Sequence, residues 1–81
     1  MRVTVRFYSY FRDLTGCEQT VETLPLNSTL EDLWQKLAAA FPRLAPMQKS
    51  TLTAVGVDYR DRDWTLKEGD EVSLFPPVQG G

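Results

Sequence analysis

Leu30-Glu31-Asp32-Leu33-Trp34-Gln35-Lys36-Leu37-Ala38-Ala39-Ala40-Phe41, entered through Asn27-Ser28-Thr29 and left through Pro42, is the stretch on which the fold turns. Leu30, Leu33, Trp34, Leu37 and Phe41 fall at i, i+3, i+4, i+7 and i+11, which lays one apolar stripe along a helix. Asn27, Ser28 and Thr29 offer side-chain oxygens to the unpaired N–H groups of its first turn. Glu31 and Asp32 sit where the helix dipole favours negative charge. Pro42 closes the helix, because a proline disfavours helical geometry at the residue before it. A helix with one apolar face needs a surface to cover, and the flanking sequence supplies strands.

Upstream, residues 2–8 alternate: Val3, Val5 and Phe7 share one face, and Arg2, Thr4, Arg6 and Tyr8 the other, as in a half-buried strand. Residues 9–15 allow a short helical turn with Phe11 and Leu14 three apart and Gly16 as its stop. Residues 19–24 alternate again around Val21 and predict a second strand, paired to the first as a hairpin with a long connection. Downstream, residues 43–50 hold Pro46 and no clear period, so they read as loop. Residues 52–57 read as a strand, with Gly56 and Asp58 turning the chain, and residues 61–63 as loop or turn. Leu66-Lys67-Glu68-Gly69-Asp70 is a tight turn into a last strand, residues 71–75. There Val72 and Leu74 face one way, and Glu71, Ser73 and Phe75 the other. Pro76-Pro77 ends it, since neither proline donates to a ladder. The order strand, strand, helix, strand, strand predicts an α+β fold, a small mixed sheet with one main helix packed on one face. The opposite face is left to solvent or a partner. We read one domain, residues 1–81, with an extended C-terminal tail over 76–81.

Composition narrows the chemistry. With 81 residues the chain has room for a single domain, which by surface scaling buries about 60% of its unfolded surface. Nine Lys+Arg against eleven Asp+Glu give a net charge of −2 without a basic block, which argues against nucleic-acid binding. The chain has no His, which excludes a catalytic triad, a His-based metal site and an imidazole base. One Cys, Cys17, makes neither an internal disulfide nor a Cys-rich metal site. The longest apolar run, residues 37–41, is far short of a membrane span. Met1-Arg2-Val3-Thr4 opens into a strand pattern without a signal-peptide core, so a cytoplasmic protein is expected. Any enzyme reaction it joins needs catalytic groups from elsewhere.

The chain ends Phe75-Pro76-Pro77-Val78-Gln79-Gly80-Gly81. The prolines favour extended geometry, at which the five residues after Pro76 reach on the order of 15 Å. Gly80 and Gly81 lack a Cβ, so such a tip enters a slot too narrow for other residues. A frayed terminus is the bland reading, and the stiffening prolines and bare tip favour a probe built for insertion. Phe75, opposite the core residues of its strand, either packs under a loop or stands at its root as an interface anchor, and we favour the anchor. Arg6, on the corresponding face of the first strand, either pairs with an acidic rim or is solvated.

The run from Leu66 to Gly81 resembles the C-terminal signature of the small subunit of molybdopterin synthase, in the ubiquitin-like sulfur carrier family. That signature has Gly-Asp-Glu-Val, large apolar residues, Pro-Pro-Val, any residue and Gly-Gly. Phe11-Arg12-Asp13-Leu14-Thr15-Gly16 and Ser28-Thr29-Leu30-Glu31-Asp32-Leu33 resemble the family in order and spacing. Gly56 departs from it, where the family often has Asn, and both residues tolerate left-handed geometry. The resemblance implies a ubiquitin-like β-grasp fold and sulfur carriage in molybdenum cofactor biosynthesis. A ubiquitin-activating-type enzyme would adenylate the Gly81 carboxylate with ATP, and a sulfur donor protein would displace AMP to leave a thiocarboxylate. The thiocarboxylate would enter the large subunit, in a heterotetramer with two carriers at its ends, and give its sulfur to cyclic pyranopterin monophosphate. Gly81 and Gly80 are then the reacting terminus, and Phe75, Pro76, Pro77, Val78, Gln79 and Arg6 the partner-binding residues. The chain would bind no cofactor or metal of its own and would not be catalytic alone, since it lacks a phosphate loop.

Other signals are bland. Cys17 invites a persulfide-carrier reading, but a reactive thiol needs an electropositive site and Cys17 is followed by Glu18, so a partly buried, passive thiol is expected. Asp58, Asp61, Asp63, Glu68, Asp70 and Glu71 are irregularly spaced among Arg60, Arg62 and Lys67, a solvated surface with Asp70 helping a turn. Trp34 and Trp64 read as core or helix-flank packing. Rival readings keep the terminus and change the acceptor: a carrier for thiazole or tRNA thiolation, or a modifier joined to lysines. A non-covalent β-grasp interaction module differs in class and predicts that Gly81 can be extended without loss.

Overall fold

The computed structural model describes residues 1–77. The alternation at the start of the chain builds β1 (Arg2–Phe7), whose Val3, Val5 and Phe7 are at most 2% exposed. A short helix α1 (Phe11–Thr15) docks Phe11 into the core and stops at Gly16, whose φ of 75° lies in the left-handed region. The strand β2 (Gln19–Thr23) runs antiparallel to β1, with Thr4 opposite Val21 and Arg6 opposite Gln19. That register sets Val21 on the outer face, where it is half exposed, and turns Thr20 and Glu22 inward.

The helix α2 (Leu30–Ala40) is fixed at its start by Thr29. The Asp32 N–H donates to the Thr29 hydroxyl at 3.3 Å, and the Thr29 N–H donates to the Asp32 carboxylate at 2.9 Å. This reciprocal box satisfies donors that the first turn otherwise leaves free. Leu30, Leu33, Trp34 and Leu37 are buried, and Phe41 closes the stripe edge-on to Phe7 at 5.7 Å.

Two elements differ from the sequence reading. The stretch read as loop contains a 3-10 helix, Pro42–Met47, with Leu44 fully buried against α1 and α2. A single buried leucine gives no period to detect, and Pro42 at the first position forfeits no bond, since that N–H is free in any helix. The strand expected over 52–57 is β3 (Leu52–Val55), followed by a two-residue loop and a two-residue strand β4 (Asp58–Tyr59). Gly56 opens that loop at φ 63°, the glycine-first arrangement that tight hairpins favour. The turn before the last strand is as read: the Lys67 N–H donates to the Asp70 carboxylate at 2.8 Å, and Gly69 takes φ 82°.

The last strand, β5 (Glu71–Phe75), lies parallel to β1 and antiparallel to β3. The sheet order is β2-β1-β5-β3-β4, mixed and five-stranded. The stripe of α2 packs on the inner face over Val3, Val5, Phe7, Val72 and Leu74, with Leu24, Leu44 and Leu66 completing the core. A first hairpin, a crossing helix and a last strand slotted beside the first, in parallel, make this a ubiquitin-like β-grasp. Among the described residues no helix is long and apolar enough to cross a membrane.

Candidate functional site

Strand parity leaves the outer face of the sheet without a helix. Two of the rows of side chains that cross it bear on the tail's exit. Arg6, Ser73, Ala54 and Tyr59 are successive partners across β1, β5, β3 and β4. Beyond them, Phe75 of β5 pairs with Leu52 of β3 and stacks on Tyr8, just past the end of β1. Ser73 and Ala54, small residues at the centre, are 7% exposed between their larger neighbours.

The second row surrounds the point where the tail leaves. Phe75 stands on the outer face, as its parity predicts, and is half-buried. Tyr8 stacks on it at 4.6 Å between ring centroids and 17° between planes. Tyr59 meets the same ring at 6.2 Å and 63°. Pro76 and Pro77 follow, also half-buried. Tyr8, Leu52 and Tyr59 are exposed beside them. An exposed aromatic and aliphatic group beside a chain terminus is unusual on a small domain and suits an interface anchor. A groove of about 550 Å³ lined by Leu52, Tyr59, Arg60, Arg62, Glu31 and Lys49 adjoins it. The site is therefore a surface around an exit point, and no cluster of three or more His, Cys, Asp or Glu that could hold a metal occurs among the described residues.

Arg6 does not face solvent alone. Its guanidinium Nε lies 3.1 Å from the Glu71 carboxylate. The parallel β1–β5 register puts Glu71 opposite Thr4, one step diagonally from Arg6 on the same face. The acidic rim considered for Arg6 is thus supplied by the protein's own last strand. Cys17 is partly buried and packs against the core. Trp34 is core, while Trp64 lies half open under the Arg60 guanidinium at 3.9 Å.

Tyr59 and Leu52 carried no signal as site residues in the sequence. Tyr59 belongs to a strand too short to show parity, and the β3–β5 register that brings Leu52 to Phe75 is not written in either segment alone. Val78, Gln79, Gly80 and Gly81, named from the sequence as tail and reacting terminus, lie outside the described residues.

Comparison with known proteins places this arrangement. The ThiS family model matches residues 5–81. The molybdopterin synthase sulfur carrier subunit of Escherichia coli is 38% identical over 81 residues, covering 98% of this chain and 99% of that protein. The small archaeal modifier protein 1 of Haloferax volcanii shares the fold at a TM-score of 0.90 and 19% identity, over the whole of both chains. A chain in the complex of subunits 1 and 2 of molybdopterin-converting factor from Helicobacter pylori matches at a TM-score of 0.71 and 27% identity, again over both chains in full. This chain belongs to the ThiS family and, within it, to the molybdopterin synthase sulfur carrier subunits.

Proposed function

We propose that the chain carries sulfur on its own C-terminal carbonyl and delivers it by inserting residues 76–81, the tail of a single domain, into a larger partner. The observation that carries this reading is the aromatic surface at the root of the tail, formed by Phe75, Tyr8 and Tyr59 immediately before Pro76-Pro77. A carboxylate is a poor electrophile, so Gly81 needs activation. An adenylating enzyme of the ubiquitin-activating type joins the Gly81 carboxylate to AMP and releases pyrophosphate from ATP. The outer sulfur of a persulfide on a donor protein then attacks the acyl carbon as AMP leaves. A second thiol cleaves the S–S bond of the resulting acyl persulfide, which leaves the thiocarboxylate and a disulfide. In the synthase the thiocarboxylate gives its sulfur to cyclic pyranopterin monophosphate, and water returns the terminus to carboxylate. Positioning of the reactants belongs to the partner's active site. This chain supplies no cofactor, and ATP belongs to the activating enzyme.

Phe75, Pro76, Pro77, Val78 and Gln79 contact the large subunit in this reading, with Gly80 and Gly81 in its channel. Arg6 enters the interface as half of its pair with Glu71. The complex of subunits 1 and 2 from Helicobacter pylori supports a large-subunit partner. Because activation consumes ATP, the reading puts the chain in the cytoplasm. Intact-mass measurement after incubation with ATP, the adenylating enzyme and a sulfur source tests it: one terminal oxygen should be exchanged for one sulfur. An unchanged mass, or recovery of the chain in isopeptide-linked conjugates instead, refutes it.

A further inference from the structure

The strand β5 is held from both sides up to Phe75 and no further. Its last pairing with β3 joins Phe75 to Leu52, and on the other side the Tyr8 N–H donates to the Leu74 carbonyl at 3.2 Å. Pro76 and Pro77 have no N–H with which to extend either ladder. The direction in which the chain leaves the sheet is therefore set at Phe75, by its backbone and by whatever holds its ring.

Two rings hold it, from different parts of the fold. Tyr8 follows β1 and lies flat against Phe75 at 4.6 Å and 17°, while Tyr59 of β4 approaches its edge at 6.2 Å and 63°. Offset-stacked and edge-to-face contacts are the arrangements that aromatic quadrupoles favour. Neither tyrosine serves the core, since Tyr8 is 37% and Tyr59 67% exposed.

We propose that Tyr8 and Tyr59 are positioning residues for the reaction at Gly81: they clamp the ring of Phe75 and so aim the chain that follows it. The proposal rests on the sulfur-carrier reading and adds a cause for productive insertion. A partner that grips the outer face and accepts the tail in a narrow channel also binds carriers whose tail leaves at a wrong angle, but those complexes do not react. Loss of aim accordingly lowers kcat, whereas loss of a direct contact with the partner raises KM, so the clamp is read at saturating carrier.

The test is steady-state adenylation by the cognate ubiquitin-activating-type enzyme, followed as pyrophosphate released from ATP, with Tyr8→Leu, Tyr8→Phe, Tyr59→Leu and Tyr59→Phe. The leucine variants should lower kcat by about 2- to 10-fold, the range an aromatic pair spans, whatever the change in KM. The phenylalanine variants keep the ring without the hydroxyl and should behave as the natural chain. Assays run well below the melting temperature of each leucine variant, which should fall by no more than the loss of one aromatic pair allows, about 2–12 °C, separate this loss from misfolding. A rise in KM at constant kcat overturns the clamp, and so do phenylalanine variants that fall as far as the leucine ones. A natural chain that is not adenylated at all overturns the carrier reading and the clamp with it. Normal adenylation of both the natural chain and the leucine variants overturns the clamp alone.

Discussion

Along β5, Val72 and Leu74 are sealed beneath α2 at no more than 2% exposure, while Glu71 and Phe75 stand on the other face beside Arg6, Tyr8 and Tyr59. The same five residues thus serve two surfaces with different physics. On the inner face each aliphatic side chain removed from water contributes roughly 1.5–3 kcal/mol, and the sum is what keeps so small a domain folded. On the outer face the aromatic and charged groups add little to the core and remain available to a partner. A β-strand allows this separation because successive side chains point in opposite directions. It follows that damage to the two faces should be distinguishable: inner substitutions act on stability, outer ones on transfer.

The largest contrast lies at the end of the tail. Adding a single residue after Gly81 moves the reacting carboxylate away from the activating site, so sulfur loading measured by intact mass should be abolished. Melting temperature should not change, because the buried core residues lie between Val3 and Leu74. Retained loading would show that the terminus is not the reacting group. On the inner face, Leu37→Ala empties a fully buried position of the α2 stripe. It should cost about 2–5 kcal/mol in urea unfolding and lower the melting temperature by roughly 10 °C or more. Loading per folded molecule should stay normal well below that temperature. If it does not, the two faces are coupled.

Phe75→Ala sharpens the comparison from the outer side. Removing a half-buried anchor at the root of the tail should weaken binding to the large subunit by about 10- to 100-fold, as read by titration calorimetry. Its effect on stability should stay near the worth of its aromatic contacts, about 0.5–1.5 kcal/mol each. A stability loss as large as that of Leu37→Ala with unaltered affinity would make Phe75 a core residue and not an anchor.

How much of this was legible in the sequence depended on whether a signal was local. The stripe from Leu30 to Phe41, the alternation of Val3, Val5 and Phe7, and the outward parity of Phe75 each lie within one segment, and the structure agrees with them. The 3-10 helix around Leu44 and the pair Asp58–Tyr59 were not legible, because a lone buried residue and a two-residue strand have no period. Val21 shows that alternation gives a strand without saying which face is which; only its register against Thr4 decides that. The end of the last strand before Pro76-Pro77 was legible from the prolines, while Tyr59 beside it came from a distant hairpin. The partner of Arg6 was hidden for the same reason, since Glu71 approaches it only through the parallel pairing of the first and last strands.

That pair supplies the smallest expected effect and the finest test of the contrast. Arg6 and Glu71 are each about half exposed, at 47% and 51%, with 3.1 Å between Nε and the carboxylate. Water and salt screen such a pair, so a double-mutant cycle with Arg6→Met and Glu71→Gln should give a coupling of only about 0.2–1 kcal/mol in unfolding free energy. The coupling should shrink as salt rises from low ionic strength, since the Debye length falls to about 10 Å at 0.1 M. In binding to the large subunit the cycle has a different meaning. On the proposed docking the pair is desolvated, and removing one partner would leave the other charge in the interface unsatisfied, which would cost more than the pair contributes to folding. Each single variant should therefore weaken binding more than it weakens folding, and the double variant should recover part of that loss. Equal coupling in folding and in binding would mean that the pair stays in water in the complex, and that the docking surface ends at the aromatic row.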